Sequence, residues 1–80
     1  MEYNKNKVYG IIAEVLKVDI ELIENMGEDE DFVIHGMNSI SAIRIIVKLE
    51  ETYDFELKDE DLLIVRFNTP SKLFKMLGGY

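Results

Sequence analysis

The stretch Gly36-Met37-Asn38-Ser39-Ile40-Ser41-Ala42-Ile43-Arg44-Ile45-Ile46-Val47-Lys48-Leu49-Glu50-Glu51-Thr52-Tyr53 decides the reading of the whole chain. A glycine-bearing approach gives way to an unbroken helical pattern. Ala42, Ile45, Ile46, Leu49 and Tyr53 recur at the spacing of a core-facing helix stripe. The pattern predicts a helix from Ser39 to about Tyr53. Ile40, Ile43 and Val47 form a second stripe beside the first. A single helix in a small bundle seldom hides two such stripes. The second begins next to Ser39, which makes it the candidate contact surface. Cover by the preceding loop is the competing reading, evenly matched at Ile43, whereas Ile40 and Val47 are assigned to contact.

Working outward, Val8, Ile11, Ile12, Val15 and Leu16 predict an amphipathic helix over about residues 3–17, with Asn4 as its N-cap. Between Val18 and Asn38 the periodicity fades. Ile20, Leu22, Ile23 and Met26 can pack a short turn, and Phe32 with some of its neighbours is expected to pin this long loop to the core. Downstream, Asp54 to Lys58 reads as a turn. Asp59 to Val65 reads as a short helix capped by Asp59. Thr69-Pro70 opens a last helix, since Thr caps well and proline is tolerated at the first helical position. Leu73, Phe74 and Leu77 give it a buried face, and Gly78-Gly79 ends it. Tyr80 reads as a frayed end. The expected fold is all-α: a four-helix bundle of three main helices and one short one, with a long loop between helices one and two.

Length and composition limit what this fold can do. Eighty residues make one small domain, 1–80, with a thin core. Met1 and the closing Gly78-Gly79-Tyr80 are read as the ends of a complete chain, with an excised domain as the alternative. The net charge of −7 argues against binding a nucleic-acid backbone. Seven acids and no base lie between Asp19 and Asp31. Solvation accounts for most of this run, and steering toward basic partners is its functional counterpart. No apolar stretch is long enough to span a membrane, and MEYNKNK is not a signal peptide, so a cytoplasmic, monomeric protein without membrane contact is expected. The absence of cysteine removes disulfides, thiolate metal sites and any side-chain thiol that could hold a thioester.

Ser39 carries the chemical signal. A serine that is to hold a phosphodiester must be exposed, and its phosphate gains from the unpaired N–H groups and positive partial charge of a helix N-terminus. Gly36 permits an unusual backbone angle in the approach. On this local pattern alone, the reading of Ser39 or Asn38 as a plain N-cap wins, and for Asn38 both roles can hold.

From about Val8 to Leu77 the chain resembles the acyl and peptidyl carrier protein family. The resemblance rests on Gly36-Met37-Asn38-Ser39-Ile40, on Phe32 upstream, on Ile45-Ile46-Leu49-Glu50-Glu51-Tyr53-Asp54-Phe55, and on Thr69-Pro70-Ser71-Lys72-Leu73. It implies a covalent phosphopantetheine arm on Ser39, with Gly36, Met37, Asn38 and Ile40 as the flanking motif. It also implies a transferase that takes the arm from coenzyme A, and a non-catalytic role. The arm's thiol would supply the sulfur that the chain lacks. Carried over by position, Ile40, Ile43, Arg44, Val47 and Glu51 would face partners: an adenylating or other loading enzyme, and condensation or acyl-processing enzymes.

Two departures from fatty-acid carriers stand out. Asn38 occupies the position where those carriers have Asp, and Arg44 and Lys48 with Glu50 and Glu51 leave the helix formally neutral. The expectation is a free-standing peptidyl carrier of nonribosomal peptide or related secondary metabolism. Fatty-acid, polyketide or D-alanyl cargo is the alternative. An unmodified helical adaptor is the alternative of another class.

Neither the histidine nor the acidic run points to a catalytic or metal site. His35 lies four residues before Ser39, yet no G-x-S-x-G elbow is present and a chain this small leaves little room for a substrate pocket. His35 is assigned to the loop, near the arm or the partner surface. Glu28 to Asp31 lacks the spacing of a calcium loop, so no metal site is expected. Met26 and Met76 read as packing residues, and Tyr3, Tyr9 and Tyr53 as core or rim.

Overall fold

The computed structural model describes residues 2–80; Met1, read as the initiator, lies outside them. Four α-helices run in the order α1 (Lys5–Leu16), α2 (Ile20–Glu24), α3 (Ser39–Tyr53) and α4 (Pro70–Gly78). Short 3-10 turns at Phe32–His35, Asp59–Asp61 and Ile64–Arg66 shape the connections. No strand occurs among the described residues, and no helix there is long and apolar enough to cross a membrane.

The main helices begin and end for local reasons. The Asn4 side chain accepts from the Lys7 N–H and starts α1. Thr69 does the same for α4 by accepting from Lys72, with Pro70 in the first turn. Lys17 and Asp54 end α1 and α3 in the left-handed conformation, at φ 59° and 53°. α1 packs against α2 and α3. Val8 and Ile12 of α1, Ile23 of α2, Ile45, Ile46 and Leu49 of α3, and Leu73 and Leu77 of α4 meet in one buried core, joined by Phe32 and Phe67 from the connections. Fully burying one such aliphatic side chain contributes roughly 1.5–3 kcal/mol.

Two seams close the bundle. Phe74 stacks on Tyr3 and meets Tyr9 edge-on, with ring centroids 5.4 Å apart in each pair, so α4 covers the start of α1. The Tyr53 hydroxyl accepts from the Asn4 N–H at 3.1 Å and joins the end of α3 to the same place.

Three expectations need correction. The short fourth helix lies at Ile20–Glu24, not at Asp59–Val65. Five residues are too few for a 3.6-residue pattern to declare itself, and only Ile23 of α2 is buried. The Asp59–Val65 segment instead forms two separate 3-10 turns, and Lys58, not Asp59, holds the cap position without a side-chain bond. The reason is non-local. The Tyr80 hydroxyl donates to Asp61 and accepts from the Lys58 N–H, while Phe67 is drawn into the core. Tyr80 is therefore not frayed: it clasps this turn and packs its ring on Phe55.

Candidate functional site

The site is the approach to α3. Its shape starts at Asp31, whose side chain accepts from the Val33 N–H at 2.9 Å and opens the Phe32–His35 turn. Gly36 ends that turn at φ +99°. An added side chain would meet nothing within 4 Å there, so glycine is required by its backbone conformation and not by space. Phe32 and Met37 are buried on either side, which anchors both ends of the turn in the core as expected of Phe32.

Long-range hydrogen bonds complete the anchoring. The Phe32 N–H donates to the Asn68 carbonyl at 2.8 Å, and the Asn68 amide donates to Asp31 Oδ2 at 2.8 Å. The Ser71 N–H donates to the Glu28 carbonyl at 2.9 Å. The start of α4 thus holds the loop that presents α3. No short-range signal in the sequence marks Asn68 for this part.

Asn38 is the N-cap. Its Oδ1 accepts from the Ser41 N–H at 2.9 Å, and its own N–H donates to Ser41 Oγ at 2.8 Å. This is a reciprocal capping box, with Ser41 where Glu or Gln is usual. A capping box is normally recognised by that longer side chain, so the sequence does not mark Ser41 for this part. The cap leaves Ser39 free. Ser39 is exposed in the first turn, and its hydroxyl makes no hydrogen bond among the described residues. The N–H groups of Ser39 and Ile40 likewise have no acceptor there. An anion attached to Ser39 Oγ would meet these N–H groups at the positive end of the helix dipole.

His35 is engaged elsewhere, with its Nε2 2.7 Å from Glu30 Oε2. That contact stitches the acidic loop to the turn. No cluster of metal-ligating side chains occurs among the described residues.

The second stripe of α3 is open to solvent. Ile40 is 68% exposed, Ile43 44% and Val47 43%, which resolves the two readings of Ile43 and Val47 in favour of exposure. Ile43, Arg44, Val47 and Glu51 line one shallow depression together with Lys48. Four of the five residues assigned to partners are thereby brought together, and Ile40 stands apart beside Ser39. Arg44 makes no ion pair among the described residues, whereas Lys48 pairs with Glu14 at 3.0 Å. Val33 and Ile34, 71% exposed at Ile34, add apolar surface just upstream. Of the neighbours of Phe32, only the observed turn shows which point inward: Val33 and Ile34 do not.

A model of the phosphopantetheine attachment site family matches residues 6–77, so the chain belongs to the family of phosphopantetheine-binding carrier proteins, which are not enzymes themselves. Within that family its relatives are acyl carrier proteins. It is 35% identical over 60 residues to an acyl carrier protein of Syntrophobacter fumaroxidans, a match covering 75% of this chain and 72% of the relative. Its fold is similar to that of BlmI, a type-II acyl carrier protein from Streptomyces verticillus involved in bleomycin biosynthesis. There the TM-score is 0.68 and the identity 30%, over 91% of this chain and 80% of that one. Both relatives are acyl carriers and neither is described as a peptidyl carrier.

Proposed function

We propose that Ser39 bears the phosphopantetheine arm and that the protein is a discrete acyl carrier of secondary metabolism, working as a monomer in the cytoplasm. The observation that carries this reading is the exposed, unbonded Ser39 hydroxyl on a helix whose cap is supplied by Asn38. The bound arm supplies a terminal thiol that holds the cargo as a thioester. The chain supplies the rest. It keeps Ser39 accessible, offers two free N–H groups to the phosphate, and sets an apolar stripe beside the arm for enzymes to grip.

The pathway assignment is supported by the likeness to BlmI and by the charge of α3. Exposed Arg44, in a helix that is formally neutral, gives little purchase to an enzyme that reads acidic carriers. The relatives' names favour acyl cargo over the aminoacyl cargo expected of a peptidyl carrier. Partners then include a phosphopantetheinyl transferase, a loading enzyme and acyl-processing enzymes.

Intact-protein mass after incubation with coenzyme A and a broad-specificity transferase tests the attachment. The expected result is a gain of one phosphopantetheinyl group that Ser39→Ala abolishes. No gain by a folded protein, with the transferase active on a control carrier, would sink the reading and leave an unmodified adaptor. Loading of the modified protein by acyl-transferring enzymes but not by amino-acid-adenylating ones would support acyl cargo, and the reverse would restore the peptidyl reading.

A further inference from the structure

Charge is divided sharply along this chain. All sixteen acids and six of the nine bases precede Leu62, while the nineteen residues from Leu62 to Tyr80 hold three bases and no acid. The fold gathers those three, Arg66, Lys72 and Lys75, with Lys58 around an open depression beside α4. This depression shares no lining residue with the two that lie along α3.

All four basic side chains are exposed, and none makes an ion pair among the described residues. Lys72 Nζ donates to the Val65 carbonyl and to Asn68 Oδ1, both at 3.3 Å, which fixes its stem without neutralising its charge. The one carboxylate on the rim, Asp61, is held by the Tyr80 hydroxyl. Four like charges converge here in a protein that has acids to spare. Exposed Asp59 and Glu60 adjoin Lys58, yet the lining itself holds four cations to one carboxylate, and such an excess is answered by an anionic partner.

We propose that this face docks an acidic segment of a partner polypeptide. The donors sit on long exposed side chains drawn from three separate stretches of chain, with the aliphatic surface of Met76 between them. A small free anion is held best by buried, pre-oriented donors, which this rim lacks. An extended acidic chain can span the open rim and lie on its apolar floor. Because the surface is separate from α3, a partner bound here leaves Ser39 and the exposed stripe free. A carrier without a covalent link to its enzymes would thus be kept near them during successive encounters, with a gain in effective concentration.

The proposal stands whether or not Ser39 is modified, and its test is separable from that question. A fluorescein-labelled oligoglutamate is titrated into the protein at low salt, and binding is followed by fluorescence anisotropy and by amide and side-chain NMR shifts. Binding is expected despite the net charge of −7 and should weaken as salt is raised. The shifts should centre on Lys58, Arg66, Lys72, Lys75 and Tyr80. The double variant Lys58→Glu/Lys75→Glu should lose about tenfold or more in affinity, while Lys7→Glu on α1 changes it little. Lys58→Gln/Lys75→Gln serves if the reversal perturbs folding by circular dichroism. The gain in mass at Ser39 should be unaltered in these variants. No binding at low salt, shifts centred on Arg44 and Lys48, or full displacement by equimolar inorganic pyrophosphate would overturn the proposal. Self-association in sedimentation that the same double variant abolishes would also overturn it, by making a second copy the occupant.

Discussion

The two apolar stripes of α3 are built from the same residue types and meet opposite fates. Ala42, Ile45, Ile46 and Leu49 are buried, while Ile40, Ile43 and Val47 remain open. Nothing in their hydrophobicity separates them. What separates them is supply: α1, α2, α4, Phe32 and Phe67 contribute to the core on one side of the helix, and the other side stays open among the described residues. The buried stripe therefore carries stability, and the open one is the surface proposed above as the partner contact.

The sharpest way to break this contrast is to truncate each side in turn. Leu49→Ala is expected to destabilise the protein by about 2–5 kcal/mol in urea or thermal unfolding. A loss comparable to that of an exposed site would mean the core is not packed as described. Next in size is the cap that orients both stripes. Asn38→Ala breaks the capping box and is expected to cost roughly 0.5–2 kcal/mol. Ser39→Ala, one residue on, should shift the unfolding midpoint much less, since its hydroxyl bonds to nothing among the described residues. Val47→Ala comes third, with a stability change within about 0.5 kcal/mol and a slower reaction with partner enzymes. Equal destabilisation by Val47→Ala and Leu49→Ala would erase the distinction between the stripes.

The smallest effect concerns pH. Burial, and then the hydrogen bond to Asp61, raise the Tyr80 pKa above its usual value of 10.0. The folded state therefore favours the neutral phenol. Its contribution is intact below about pH 10, where the unfolded chain's tyrosine titrates, and is lost as pH climbs through the raised folded value. Tyr80→Phe should flatten part of the alkaline fall in stability. Tyr9, whose pKa is also raised by burial and by Glu24, keeps part of that fall in the variant. An unchanged alkaline profile in Tyr80→Phe would show that the clasp on Asp61 does not form in solution.

The parts of the molecule legible in advance are those that local chemistry decides. α1, α3 and α4 announce themselves by period and by cap: Asn4, Asn38, and Thr69 with Pro70. Ser39 is a different case: its local pattern reads as a plain N-cap, and the resemblance from Val8 to Leu77 is what singles it out for the proposed arm. The misread parts are settled at a distance. The segment after Lys58 takes its form from Tyr80 and Phe67, and the loop before Gly36 takes its form from Asn68. α2 is simply shorter than the period that would reveal it. The exposure of Val33 and Ile34 beside buried Phe32 follows from a 3-10 turn, whose side-chain directions no alternation in the sequence encodes.

The ties from Glu28, Asp31 and Phe32 to Asn68 and Ser71 bear on the order of events during synthesis. They join segments about forty residues apart, so the loop that presents Ser39 cannot settle until the start of α4 has left the ribosome. Until then Ser39 sits on a stretch of nascent chain that lacks these ties. On the proposed function, attachment of the arm at Ser39 waits until the whole domain has been made.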